Sequence, residues 1–349
     1  MQFIKSDVNI NFIGKRKIAF FVSIVMIAIS IVSLIWREGP KQGIDFAGGT
    51  LVQVKFLAPV KIDDLKTGLQ SIGLGKSSVQ SFGEQESNEY LIRTDSSAMA
   101  AEGFSLNVEK ALTSSTGADV EIRRIEMVGA QVGHDLREKA LFAMFYALLF
   151  ITIYISGRFE LKWMISAVMA VALIGAVYVF TLVSVSIPFL IAAALIVSLV
   201  LFWFLELKYA MGAIVALIHD VVITVGIFSI LDKEFTLAII AALLTIIGYS
   251  LNDTIIVYDR IRENLRKYHK NPLEFIINRS INETLSRTIL TSVTTLFVVI
   301  TLFVLGGGII HDFAFALIIG VAVGTYSSIF VASPILLTWQ DRQRKKKNG

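Results

Sequence analysis

The chain has 349 residues, 55% of them apolar, and a mean hydropathy of +0.70, which excludes a single water-soluble core because long apolar runs would stay exposed. The formal net charge is only +4, and the basic residues sit beside apolar spans rather than in an aromatic-interleaved surface, which argues against nucleic acid as a partner. There is no cysteine, and so no disulfide, thiolate metal site or cysteine nucleophile.

In chain order, a short segment at 1–17 ends in Lys15, Arg16 and Lys17 and leads into an apolar run at 18–36. That run exceeds a signal-peptide core and no small-x-small site closes it, so it is expected to stay as an anchor. Residues 37–138 then take on the patterning of a soluble domain. Strands are expected at Thr50–Phe56, Ser77–Phe82, Glu89–Arg93 and Asp119–Ile125, with helices near Ile62–Ile72 and Gly103–Leu112. This β-α-β-β-α-β order suggests an α+β ferredoxin-like module.

Seven further apolar stretches follow, at 139–157, 163–184, 187–204, 209–231, 235–258, 287–305 and 309–338, each close to the length of about 20 residues that a bilayer requires. The expected fold class is therefore a polytopic α-helical membrane protein of about eight transmembrane helices with one ectodomain. An even number of spans puts both termini on one side. Lys15, Arg16 and Lys17, the tail at 339–349 with Arg342, Arg344, Lys345, Lys346 and Lys347, and the basic loop expected at 259–286 mark that side as the cytoplasm. An internal repeat pairs "RFELKWMISAVMA" at 158–170 with "FLELKYAMGAIVA" at 204–216, as a duplicated hairpin over about 163–204 would.

Polar residues inside these spans need a reason, since a carboxylate near a bilayer centre costs about 2.5 to 3.5 kcal/mol on insertion scales. In the span at 235–258, Thr245, Gly248, Tyr249, Asn252 and Asp253 recur at three- and four-residue spacings, which predicts one shared face. The preceding span carries His219 and Asp220 near its middle, readable either as a mutual hydrogen-bonding pair in a tight bundle or as proton-handling groups. Arg287 opens a face continued by Thr291, Thr294 and Thr295, and Gly320 and Gly324 form a small-xxx-small packing pattern. Asp253 lies too deep for its short side chain to reach the headgroups. No phosphate-cradling glycine loop, metal-spacing cluster or serine–histidine pair supports an enzyme, a cofactor or a metal.

The stretches "GIDFAGGT" at 43–50, "VGAQVGHDLREKA" at 128–140, "ALIHDVVITVGIF" at 216–228, "IIGYSLNDTIIVYDRIREN" at 246–264 and "SRTILTSVTTL" at 286–296 resemble the SecF family of protein translocase subunits, in order and over nearly the whole chain. This family is the smaller half of the SecDF pair, within the resistance-nodulation-division superfamily. The resemblance implies SecD, the SecYEG channel and often YajC as partners, unfolded exported polypeptides as cargo, and residence in the bacterial cytoplasmic (inner) membrane. It implies coupling to protons, with sodium as the alternative ion, and places the family's intramembrane carboxylate on Asp253 and its arginine partner on Arg287. Protonation would break that pairing and switch the bundle between two packed arrangements. The family has six spans here, so the hairpin at about 163–204 is a departure, and Asp135 stands where many members carry glutamate. Two rival functions fit the same residues: a proton-coupled exporter of small molecules or lipids, and a non-transporting scaffold for the translocase.

Overall fold

The computed structural model describes residues 8–82, 88–94, 103–160 and 187–339, with single positions at 164, 168, 171, 174 and 175. Helix α1 (Arg16–Trp36) is followed by a single turn, α2 (Ile44–Ala47), and then by β1 (Gly49–Phe56), α3 (Ile62–Ser71), β2 (Ser78–Phe82), β3 (Glu89–Thr94), α4 (Phe104–Thr116) and β4 (Val120–Val128). Next come α5 (Ala130–Glu160), α6 (Ile187–Phe204), α7 (Lys208–Ile230), α8 (Leu237–Lys267), α9 (Leu273–Leu305) and α10 (Gly308–Ser327). Among the described residues, six segments are long and apolar enough to cross a membrane: Ile13–Trp36, Ala130–Phe159, Lys208–Ile230, Leu237–Lys267, Leu273–Leu305 and Ile310–Trp339. The run expected at 187–204 is helix α6, whereas 163–184 lies outside the described residues apart from the single positions, as does most of the first copy of the repeat.

The four strands form one sheet in the order β2-β3-β1-β4, every neighbouring pair antiparallel. Burial alternates along β1, so Val52, Val54 and Phe56 point one way, as a period of two requires. There they meet Leu65 and Leu69 of α3 and Val108 and Leu112 of α4 in one small core. The strand and helix order is the expected one, with β4 running three residues past Ile125.

Two boundaries differ from expectation. The loop expected at 259–286 is largely helix, since α8 continues to Lys267 and α9 starts at Leu273. Apolar runs mark where hydrocarbon ends, but a helix continues wherever its polar turns find partners. Here Asn264 Nδ2 donates to Ser280 Oγ at 3.0 Å and to Glu283 at 2.8 Å, while Arg279 pairs with Glu283 at 2.8 Å, four residues on. Likewise α5 begins at Ala130, so the last residues of the segment expected as ectodomain, 130–138, are already helical.

The last span is continued by a wide π turn at Ser328–Ala332. Pro334 has no N–H to give the helix ladder, and a π turn absorbs the interruption. Ser333 Oγ donates to Ser328 O at 2.8 Å and Tyr258 Oη to Ala332 O at 3.0 Å, which keeps the altered turn hydrogen-bonded inside the bundle.

Candidate functional site

At about 100° per residue, Ile246, Ser250, Asp253 and Val257 share one stripe of α8, and all four are buried. Thr245, Gly248 and Asn252 lie on another stripe and are exposed, with Tyr249 half-buried between the two. The single polar face expected from spacing is therefore divided. Asp253 turns inward, while Asn252, its neighbour in sequence, does not.

Two bonds fix how α8 lies against α9. Tyr249 Oη donates to Ser292 Oγ at 3.2 Å and Asn264 Nδ2 to Ser280 Oγ at 3.0 Å, so the helices run antiparallel and Asp253 falls level with Thr288, beside Arg287. Asp253 is 1% exposed, yet among the described residues its Oδ2 has no hydrogen-bond partner, and the buried Thr288 Oγ1 also has none. An unpartnered buried acceptor costs about 1–3 kcal/mol, and more when charged. The direct Asp253–Arg287 ion pair expected from the sequence is not formed among the described residues, and Arg287 is exposed. Its backbone carbonyl accepts from Thr291 Oγ1 at 3.0 Å, so the Thr291 hydroxyl is used within α9. Thr294 and Thr295 likewise donate to carbonyls of their own helix.

A second buried carboxylate is built differently. His219 Nδ1 lies 2.8 Å from Asp220 Oδ1, and Asp220 Oδ2 accepts from Ser250 Oγ at 2.5 Å and Ser327 Oγ at 2.8 Å. His219 Nε2 reaches Ser23 Oγ of α1 at 3.2 Å, and Ser23 meets Tyr326 Oη at 3.2 Å. The Tyr326 ring stacks on His219 with centroids 6.0 Å apart. This cluster ties α1, α7, α8 and α10 together. Sequence reading found His219 and Asp220 but missed Ser23, Ser250 and Tyr326, since a lone hydroxyl in an apolar run names no partner.

Gly320 and Gly324 set the distance between α10 and α8. A Cβ at Gly320 would run into Ile246, and one at Gly324 would come within 3.0 Å of Ser250 Cβ. Gly324 thereby lets Ser250 and Ser327 converge on Asp220.

Comparison with known proteins follows the same residues. The family model for the protein export membrane protein SecD/SecF, C-terminal, matches residues 107–187 and 171–342, and the SecD/SecF GG motif model matches 34–60. A protein translocase subunit SecF of Magnetococcus marinus is 44% identical over 99% of this chain and 97% of its own length. The one of Vibrio alginolyticus is 41% identical over 96% and 91%. The crystal structure of SecDF, a translocon-associated membrane protein from Thermus thermophilus, is 30% identical with a TM-score of 0.70 and covers 97% of this chain but 40% of its own, so the chain spans about two fifths of that protein. With family models across most of its length and near-full-length relatives, the chain belongs to the SecD/SecF family of protein-export membrane proteins, as a multi-pass accessory subunit of the translocase.

Proposed function

We propose that this chain works with SecD as a proton-driven motor that promotes the late export of unfolded polypeptides through SecYEG, often alongside YajC. The observation that carries the reading is Asp253: a buried carboxylate with an unpartnered oxygen, level with Thr288 and beside Arg287 on the facing helix. A purely structural carboxylate at that depth would be paired, as Asp220 is. Loading and releasing a proton at Asp253 changes the charge facing Arg287, and two packings of α8 on α9 would differ by that interaction. A membrane potential supplies about 2.3 kcal/mol per charge per 100 mV, against about 5–15 kcal/mol for a folded domain. That scale suits a chain already unfolded.

The reading has eight spans in the bacterial inner membrane, including a hairpin at about 163–204, a ferredoxin-like ectodomain at 37–138 outside the cytoplasm, and both termini in the cytoplasm. The sheet order β2-β3-β1-β4 with α3 and α4 on one face supports the ferredoxin-like part. The SecD partner is supported by exposure: Arg287 on α9 and Thr245 and Asn252 on α8 are uncovered in this single chain, and an arginine facing lipid is costly. SecD is placed against that face, where it completes the surroundings of Asp253.

The test is the completion rate of export into sealed vesicles containing this chain, SecD and SecYEG under a proton gradient, a sodium gradient or neither. Acceleration by protons alone is expected. Acceleration by sodium alone would replace the ion, and equal rates in all three would leave a scaffold.

A further inference from the structure

Between α1 and β1 the chain crosses the N-terminal end of α8, where Lys41, Gly43, Asp45 and Phe46 contact it. Phe235 N–H donates to Lys41 O at 2.7 Å and Gly43 N–H to Phe235 O at 2.9 Å, a short parallel bridge centred on Gln42 and Phe235. Asp45 Oδ2 accepts from the N–H of Leu237, the first residue of α8, at 2.9 Å. That donor is one of the four a helix start leaves open, and the Thr236 side chain does not cap it.

A third attachment comes from the sheet itself. Arg93 of β3 pairs with Glu234 at 3.6 Å, with side chains only 13% and 14% exposed, and also donates to Gln42 O. Space is short on every side. A Cβ at Gly43 would come within 2.7 Å of Thr236 Cγ2, and one at Gly48, where φ is +73°, within 2.9 Å of Ala130 Cα at the start of α5. Phe46 packs on Phe235 with ring centroids 6.5 Å apart. From Leu237 to Asp253 the helix is unbroken, about 24 Å at 1.5 Å per residue.

We infer that residues 41–48 are the transmission between the Asp253-bearing helix and the ectodomain, with Asp45, Arg93 and Glu234 as positioning residues that make the end of α8 and the sheet one body. A shift of α8 is then delivered to the ectodomain instead of being absorbed in a slack connection. The inference rests on the motor reading above, since a scaffold has no motion to transmit.

Loosening and locking the strap test it in the same vesicles. Asp45→Ala with Arg93→Ala removes the acceptor at the start of α8 and the Arg93 attachments, leaving the strap held only by the backbone bridge and the Phe46–Phe235 contact. Gln42→Cys with Phe235→Cys locks the bridge by oxidation in a chain that has no other cysteine. At matched abundance and SecD co-purification, the loosened protein should keep gradient-independent export and lose the gradient-driven acceleration, down to the level of Asp253→Asn. The locked protein should accelerate as wild type does, oxidised or reduced. Full acceleration in the loosened protein, or its loss on oxidation alone, would overturn the inference, the latter by showing that the strap must open.

Should the loosened protein fail to accumulate, Arg93→Glu, Glu234→Arg and their combination replace it. Acceleration lost in each single variant and regained in the pair supports transmission, and singles that accelerate like wild type refute it. If wild type itself shows no acceleration, or Asp253→Asn keeps it, the motor reading fails and this inference falls with it. If those two behave as proposed and the strap variants do not, only the transmission is wrong.

Discussion

Asp220 and Asp253 are both buried carboxylates on adjacent helices, and the fold treats them oppositely. Asp220 is met by His219, Ser250 and Ser327, drawn from three helices, whereas Asp253 Oδ2 meets no donor among the described residues. A group satisfied from every side resists change, because any movement breaks bonds in a medium that offers no substitute. A group left unsatisfied gains from rearrangement, from a partner or from a proton. In the proposed motor Asp220 is the part that holds and Asp253 the part that switches.

The sharpest way to break this contrast is to remove the Asp220 carboxylate. Asp220→Ala strands His219 Nδ1 and the Ser250 hydroxyl in the bundle and removes the Ser327 acceptor on another helix, with an expected loss of about 3–5 kcal/mol, read as a fall in membrane abundance and thermal midpoint. A smaller loss, about 1–3 kcal/mol, is expected of Gly320→Leu, whose side chain would collide with Ile246 and force α10 away from α8. Ser327→Ala should cost less again, about 0.6 to 1.7 kcal/mol for one interhelical hydrogen bond, measured by the same unfolding assay. At the bottom of the series stands Thr288→Val on the Asp253 side. Its hydroxyl has no partner to lose among the described residues, so no stability should be lost, and removing the unpaired buried group should raise it by up to about 1–3 kcal/mol, read in the same unfolding assay. A large loss there would show that the Asp253 side is as tightly built as the other, and would erase the comparison.

Much of this architecture was legible before any coordinates. The ectodomain order followed from period-two runs such as Thr50–Phe56 alternating with helical segments, and the sheet pairs those strands as β2-β3-β1-β4. The spans followed from apolar runs, but their ends did not: hydropathy reports hydrocarbon, and the polar turns that carry α8 to Lys267 are held by Asn264, Ser280 and Glu283, which only the folded helix pair brings together. Helical spacing placed Asp253 and Asn252 on one broad face, too coarse a guide for neighbours that end up on opposite sides of the burial boundary. His219 and Asp220 stood out as charged types in an apolar run. Ser23 and Ser250 did not, because what makes them matter is a convergence of distant helices. The Arg93–Glu234 pair was hidden for the same reason: its partners lie in different domains of the chain.

The most direct measurement compares Asp253→Asn with Asp220→Asn for gradient-driven export in vesicles holding SecD and SecYEG, at matched abundance and alongside the thermal midpoint of each. Asp253→Asn should lose the whole proton-driven acceleration and melt within a degree or two of wild type, while Asp220→Asn should melt clearly lower. An Asp253→Asn protein that still accelerates under the gradient, or that melts as low as Asp220→Asn, would contradict the division of labour between the two carboxylates.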